Sequence, residues 1–168
     1  MDKSIATPRL DSVLAPDRNV LLLAAVDPTT TIYIPLVRSW HRRPTPASCQ
    51  LLMGGWGPAR LTRVSDNALV VDRLNPHWTA PDVYAAAFTR RTPRVGERFR
   101  SGELEAQVLK VVDGLPLRVR FEFQRSLNGP YSLIVQAERG LQPVELPALG
   151  QSIVLEPARL PMRIDENL

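Results

Sequence analysis

Hydrophobic and polar residues alternate most cleanly between residues 104 and 123, on either side of Asp113-Gly114. A two-residue reversal at that pair sets Val112 opposite Leu115, Val108 opposite Val119, Ala106 opposite Phe121 and Leu104 opposite Phe123. Side chains alternate between the two faces of a strand, so all of these share one side. Glu103, Glu105, Gln107, Arg118, Arg120 and Glu122 fall on the other, giving one core face and one wet face. The same register opposes Glu105 and Glu122, a like-charge pair that costs roughly a few tenths of a kcal/mol or more. Arg120, diagonal to Glu105, offsets that cost, and a bulge would shift the pairing by one residue.

Other segments follow the same logic. Residues 19–26 form a short continuous apolar run of the kind found in a buried strand. Asp27-Pro28 then supplies a helix start, with an acceptor at the N-cap and proline at the first helical position. Ile32, Leu36 and Trp40 fall on one face of that helix, with Tyr33 and Val37 beside them. Pro35 either kinks the helix or begins it. Arg38, Arg42 and Arg43 load the last turn with cations, as the helix dipole prefers, and Pro44 and Pro46 end it. The spacing thus predicts one short helix near 28–43, and the three alanines after Pro81 predict another near 82–89.

Strands are predicted at 50–53, ended by Gly54-Gly55-Trp56-Gly57, and at 60–64 and 68–72 around a tight turn at Asp66-Asn67. Residues 131–138 and 141–146 read as a further hairpin around Arg139-Gly140, and 152–155 as a closing strand. About eight short strands with regular turn signals point to a mainly β chain, an antiparallel sandwich or a partly closed barrel. Residues 1–18, polar and containing Pro8 and Pro16, read as an arm or linker, 19–156 as a single β-rich domain, and 157–168 as a C-terminal tail.

Composition adds limits. An apolar fraction of 44% supports a proper core, and sixteen prolines favour short elements joined by many turns. The net charge is +4, and only Lys3 and Lys110 among the 21 basic residues are lysines. A taste for Arg, Ala, Pro and Leu explains that basicity, and the seventeen acids spread through the same segments argue against a single-sign face. Cys49 is the only cysteine, which excludes an intramolecular disulfide and a thiolate zinc cluster; its apolar surroundings predict an inert thiol. The most apolar stretch, 20–26, is far short of the ~20 residues that cross a bilayer. Asp11, Asp17 and Arg18 interrupt the region where an apolar signal segment would lie, so the chain reads as soluble.

Candidate chemistry is sparse. His41 and His77 are far apart and have no metal-ligand spacing, and no cofactor, metal or catalytic residue is assigned. Arg38, His41, Arg42 and Arg43 at the helix end form a candidate contact for an anion, a headgroup or a partner. Arg90, Arg91, Arg94 and Arg98 form a second, close to Phe88 and Phe99, in a pattern used by single-strand-binding barrels. Glu97 and Glu103 break its field, so arginines guarding a sheet edge are the preferred reading there. His77-Trp78 in a loop is a candidate ligand platform, and His41 or His77 with nearby acids leaves open a small-ligand binder or a hydrolase without a recognisable motif. Gly54-Gly55-Trp56-Gly57 lacks the Lys-Ser/Thr of a phosphate loop, and no Gly-x-Ser-x-Gly accompanies it.

The run Val20-Leu21-Leu22-Leu23-Ala24-Ala25-Val26-Asp27-Pro28, then Tyr33-Ile34-Pro35-Leu36 and Arg43-Pro44-Thr45-Pro46, resembles part of uncharacterised bacterial multi-spanning membrane proteins. So do Val95-Gly96-Glu97-Arg98-Phe99 and Leu117-Arg118-Val119-Arg120-Phe121. The likeness covers most of 19–156 and implies a soluble C-terminal, extramembrane portion, on a side of the membrane it does not specify. It carries over no catalytic residue. The expectation is a non-enzymatic β module that contacts a protein partner or its own membrane-spanning region, with nucleic acid disfavoured.

Overall fold

The computed structural model describes residues 3–26, 29–54, 57–75, 92–137 and 140–157. The expected second helix at 82–89, His77, Trp78, Arg90, Arg91 and nearly all of the expected tail lie outside these. The chain is mainly β: ten strands in two sheets, neither closed into a barrel, with one α-helix among the described residues. It divides into two compact units, the first containing 1–54 and 132–144, the second 55–131 and 145–157.

In the first unit, β1 (Asn19–Ala24) and β2 (Ser48–Leu51) run parallel, Val20 opposite Cys49 and Leu22 opposite Leu51. Parallel neighbours need a long crossover, and α1 (Thr30–Trp40) supplies it. The expectation of an antiparallel architecture therefore fails for this pair. Residues 20–25 are wholly buried, which is why β1 reads as an unbroken apolar run rather than an alternating one. β8 (Tyr131–Ala137) lies beside β1 and pairs antiparallel with β9 (Gly140–Val144); the expected hairpin is present, but Gly140 pairs with Ala137 in the ladder instead of sitting in the turn.

Residues 3–18 do not behave as an arm. Two short 3-10 turns, Lys3–Ala6 and Pro8–Leu10, bring Ile5, Leu10 and Leu14 into one cluster with Val20, Leu22, Ile34, Val37 and Ile134. Three apolar residues were enough to anchor a segment that looks polar on average. Arg18 Nε donates to Ser132 Oγ at 3.1 Å, and Gln136 Oε1 accepts from the Val26 amide at 3.1 Å, tying this layer together.

The second unit is a six-stranded antiparallel sheet in the order β10-β3-β4-β7-β6-β5. Its middle is the hairpin of β6 (Leu104–Val112) and β7 (Leu115–Phe123), with all four apolar pairs in the expected register. Asp113 and Gly114 both have positive φ, 50° and 80°, the mirror-image turn that matches strand twist. Two register shifts around Lys110 compensate one another, so the bulge leaves the pairing at Val108 unmoved.

β3 (Ala59–Ser65) and β4 (Ala68–Arg73) form the second expected hairpin. Their turn closes without positive φ at Asp66 or Asn67; the register slips between Arg63 and Ser65 instead. Arg63, buried on the inner face, donates to Asp66 Oδ1 at 3.0 Å and to the Ser65 carbonyl at 3.3 Å. β10 (Ser152–Leu155) falls where expected. β5 (Arg98–Ser101) is an edge strand, in keeping with the reading of its arginines as guards of a sheet edge; all four of its residues are exposed, so no apolar alternation marks its bounds.

Candidate functional site

The helix α1 has two apolar arcs. Thr30, Ile34, Val37 and Arg38, spaced at i, i+4, i+7 and i+8, are buried against the first unit. Roughly opposite, Ile32 is 64% exposed, Tyr33 47%, Leu36 52% and Trp40 80%. The stripe of Ile32, Leu36 and Trp40 that marks the helix in the sequence thus faces solvent, while Ile34 and Val37 take the core. A helix that is apolar all round normally lies buried. Pro35 lies inside the helix rather than at its start.

The C-terminal end of α1 is built in an unusual way. The Arg42 amide donates to the Ser39 carbonyl at 3.0 Å and the Arg43 amide to the Arg38 carbonyl at 2.9 Å, the paired bonds of a Schellman cap. That cap needs one left-handed residue, and Arg42 fills it with φ 53°. Glycine ordinarily takes this position, because a side chain there costs about 1 kcal/mol. The arginine is kept at that cost, and both it and the preceding His41 are exposed.

Arg38 proves to be a structural pin, not a solvent-facing contact. Its side chain is fully buried; Nε donates to the Pro44 carbonyl at 2.6 Å, Nη1 to the Ile5 carbonyl at 2.9 Å, and Nη2 pairs with Asp11 Oδ1. Asp11 Oδ2 also accepts from Arg43 Nη1 at 3.3 Å. These bonds lock the N-terminal segment to the helix and the loop after it. Of the four expected contact residues, His41 and Arg42 remain outward and Arg43 is half-buried.

The chain carries no Asp or Glu between Asp27 and Asp66, a stretch that includes Arg38, Arg42, Arg43, Arg60 and Arg63. The reading of acids as evenly spread among the bases fails here. Among the described residues of the first unit, Asp11 and Asp17 are the only carboxylates, and Asp11 is engaged beneath α1. The outward face therefore combines two aromatics, two aliphatics and a cationic end, with no acid within its own sequence segment. The signal was present in the sequence as this acid-free run.

No family model matches this chain, and neither does any curated protein or solved structure.

The second basic run is arranged differently. Arg98 and Arg100 on β5 both reach across to Glu105, at 2.9 and 2.8 Å. The bond from Arg100 is the chief reason the Glu105 carboxyl is held below its ordinary value; partial desolvation opposes it, and Arg98 adds to it. Arg120, expected to offset Glu105, instead approaches Glu122 at 3.5 Å. The Arg94 amide donates to Glu97 Oε2 at 2.9 Å. Phe99, 51% exposed, lies on the opposite face of β5 from Arg98 and Arg100, so the aromatic and the two guanidinium groups do not share one surface.

An open groove of about 320 Å³ lies beside this edge, lined by Asn67, Arg98, Arg100, Glu105 and Phe123 among others. Several of its polar groups already have partners: Asn67 Nδ2 donates to the Phe123 carbonyl at 2.8 Å, and the arginines hold Glu105. Tyr131 packs on Phe123, ring centres 5.2 Å apart, and its buried hydroxyl has no hydrogen-bond partner among the described residues. Burial, and then Glu103, push that phenol upward, partly offset by Arg125. Burial likewise pushes the Cys49 thiol up to about 12, which leaves it protonated and unreactive at neutral pH. Among the described residues no group of three or more His, Cys, Asp or Glu is placed to hold a metal ion.

Proposed function

We propose that this protein is a non-enzymatic β-rich interaction module whose contact surface is the outward face of α1. The observation that carries this reading is the exposure of Ile32, Tyr33, Leu36 and Trp40 on a helix whose other side already serves the core. Scattered exposed apolar residues are ordinary, but four that share one helix face beside an exposed arginine are the signature of a covered surface. The resemblance of 19–156 to the extramembrane portion of membrane proteins fits a module of this kind, held near a partner or near its own membrane-spanning region.

Two measurements test it. The double variant L36E/W40E should unfold in denaturant within about 0.5 kcal/mol of the parent chain, because outward side chains do not hold the fold. A photo-crosslinking residue at position 40 should form adducts in producing cells, and the same residue at position 60, on the outer face of the other sheet, should not. A large loss of stability, or adducts at 60 and none at 40, would contradict the reading.

A further inference from the structure

We infer that the occupant of the α1 face is an anionic phospholipid surface; this deepens the contact-face reading above and rests on it. The outward side chains are those that settle at a membrane interface. Tyr33 and Trp40 have an apolar body and a polar tip, with Leu36 between them along the helix and Ile32 just before Tyr33. The cationic end follows immediately, with His41 and Arg42 exposed next to Trp40. A helix lying flat on a bilayer would bury the four apolar side chains at the acyl boundary and leave the Arg42 guanidinium level with the headgroup phosphates.

Charge and area separate this occupant from a protein. No carboxylate occurs between residues 28 and 65 to repel an anionic surface. Four outward side chains are also a small apolar anchor for a stable protein interface, which buries about 800 Å² and about 20 to 30 residues on each side. A lipid surface needs no matching pocket, because it adds shallow insertion to the attraction of many phosphates. Arg42 supports the same conclusion by its backbone. The left-handed cap position holds a charged side chain where glycine would sit without strain, and strain kept at an exposed position points to use.

The test is co-sedimentation of the full chain with vesicles of phosphatidylcholine alone or with about one-third phosphatidylglycerol. Binding is expected to the anionic vesicles only and should weaken as salt shortens the reach of the charges. R42E should lower partitioning about tenfold or more, W40E and L36E should abolish it, and R60E, on the other unit, should leave it unchanged. Equal binding to neutral vesicles, or binding that R60E removes and R42E does not, would overturn the proposal. So would no binding to either vesicle; if L36E/W40E is then as stable as the parent and position 40 still crosslinks to a protein, only the lipid assignment falls. If L36E/W40E unfolds, the contact-face reading falls with it.

Discussion

The outer face of the six-stranded sheet is rich in arginine and the exposed face of α1 is apolar with one exposed arginine just past its end, and the two surfaces use their charges in opposite ways. On the sheet five arginines meet a carboxylate: Arg118 reaches Asp72 at 3.2 Å, Arg98 and Arg100 share Glu105, Arg120 approaches Glu122, and Arg125 reaches Glu103 at 3.1 Å. That surface is finished, and water suits it. On α1 the exposed groups are Ile32, Tyr33, Leu36 and Trp40, with Arg42 and His41 at the end and no carboxylate in their segment. The lesson is that the number of cations on a surface says little about binding; what decides is whether the fold has already supplied their partners.

The sharpest way to break this comparison is to attack what supports α1 from below. Asp11→Ala leaves the guanidinium of Arg38 buried without its carboxylate, and removal of one partner of a buried pair costs about 3 kcal/mol or more. Equilibrium denaturation should show that loss, and a cost under about 1 kcal/mol would mean the pin is not needed.

Next comes Arg42→Gly, which should act in two directions at once. Relief of the left-handed position stabilises the fold by roughly 0.5–1 kcal/mol, while loss of the cation weakens binding to anionic vesicles. A variant that is both destabilised and fully able to bind would show that Arg42 serves the helix cap alone.

A smaller effect is expected from Glu105→Gln on the finished face. Because the folded-state value of Glu105 lies below its ordinary 4.5, the ion pairs contribute stability that is present above that value and is lost as pH falls through the depressed one. Thermal midpoints of the parent should therefore drop in acid more than those of the variant, and parallel curves would contradict the pairing. Smallest of all is Tyr131→Phe. The hydroxyl it deletes is buried with no hydrogen-bond partner among the described residues, so stability should stay level or rise by up to about 1 kcal/mol. A clear loss would reveal a bond to that oxygen.

How much of this was legible depended on whether local pattern and tertiary environment agreed. At Asp113-Gly114 they did: turn chemistry and alternation both demanded one register, and even the bulge at Lys110 could not move it. At α1 they diverged. Periodicity finds an apolar arc but does not say which of two arcs meets the core, and the arc with Trp40 was the larger and the wrong one for burial. Arg38 misled for a related reason, since a cation at a helix end normally meets water, and only the distant Asp11 and the Ile5 carbonyl make its burial tolerable. β5 showed only the arginines of a guarded edge and no bounds, because an edge strand exposed on both faces has nothing to alternate. The site itself was half visible: His41 and Arg42 from their charge, the apolar stripe from its spacing, but not the fact that the two share an exposed surface.

The most direct test is quenching of tryptophan fluorescence by brominated lipid in anionic vesicles, with the full chain compared with Trp40→Phe, which keeps an apolar ring on the helix. The parent should be quenched and the variant, still bound, should not. Undiminished quenching after Trp40 is replaced would place the lipid contact elsewhere and contradict the assignment of α1 as the docking face.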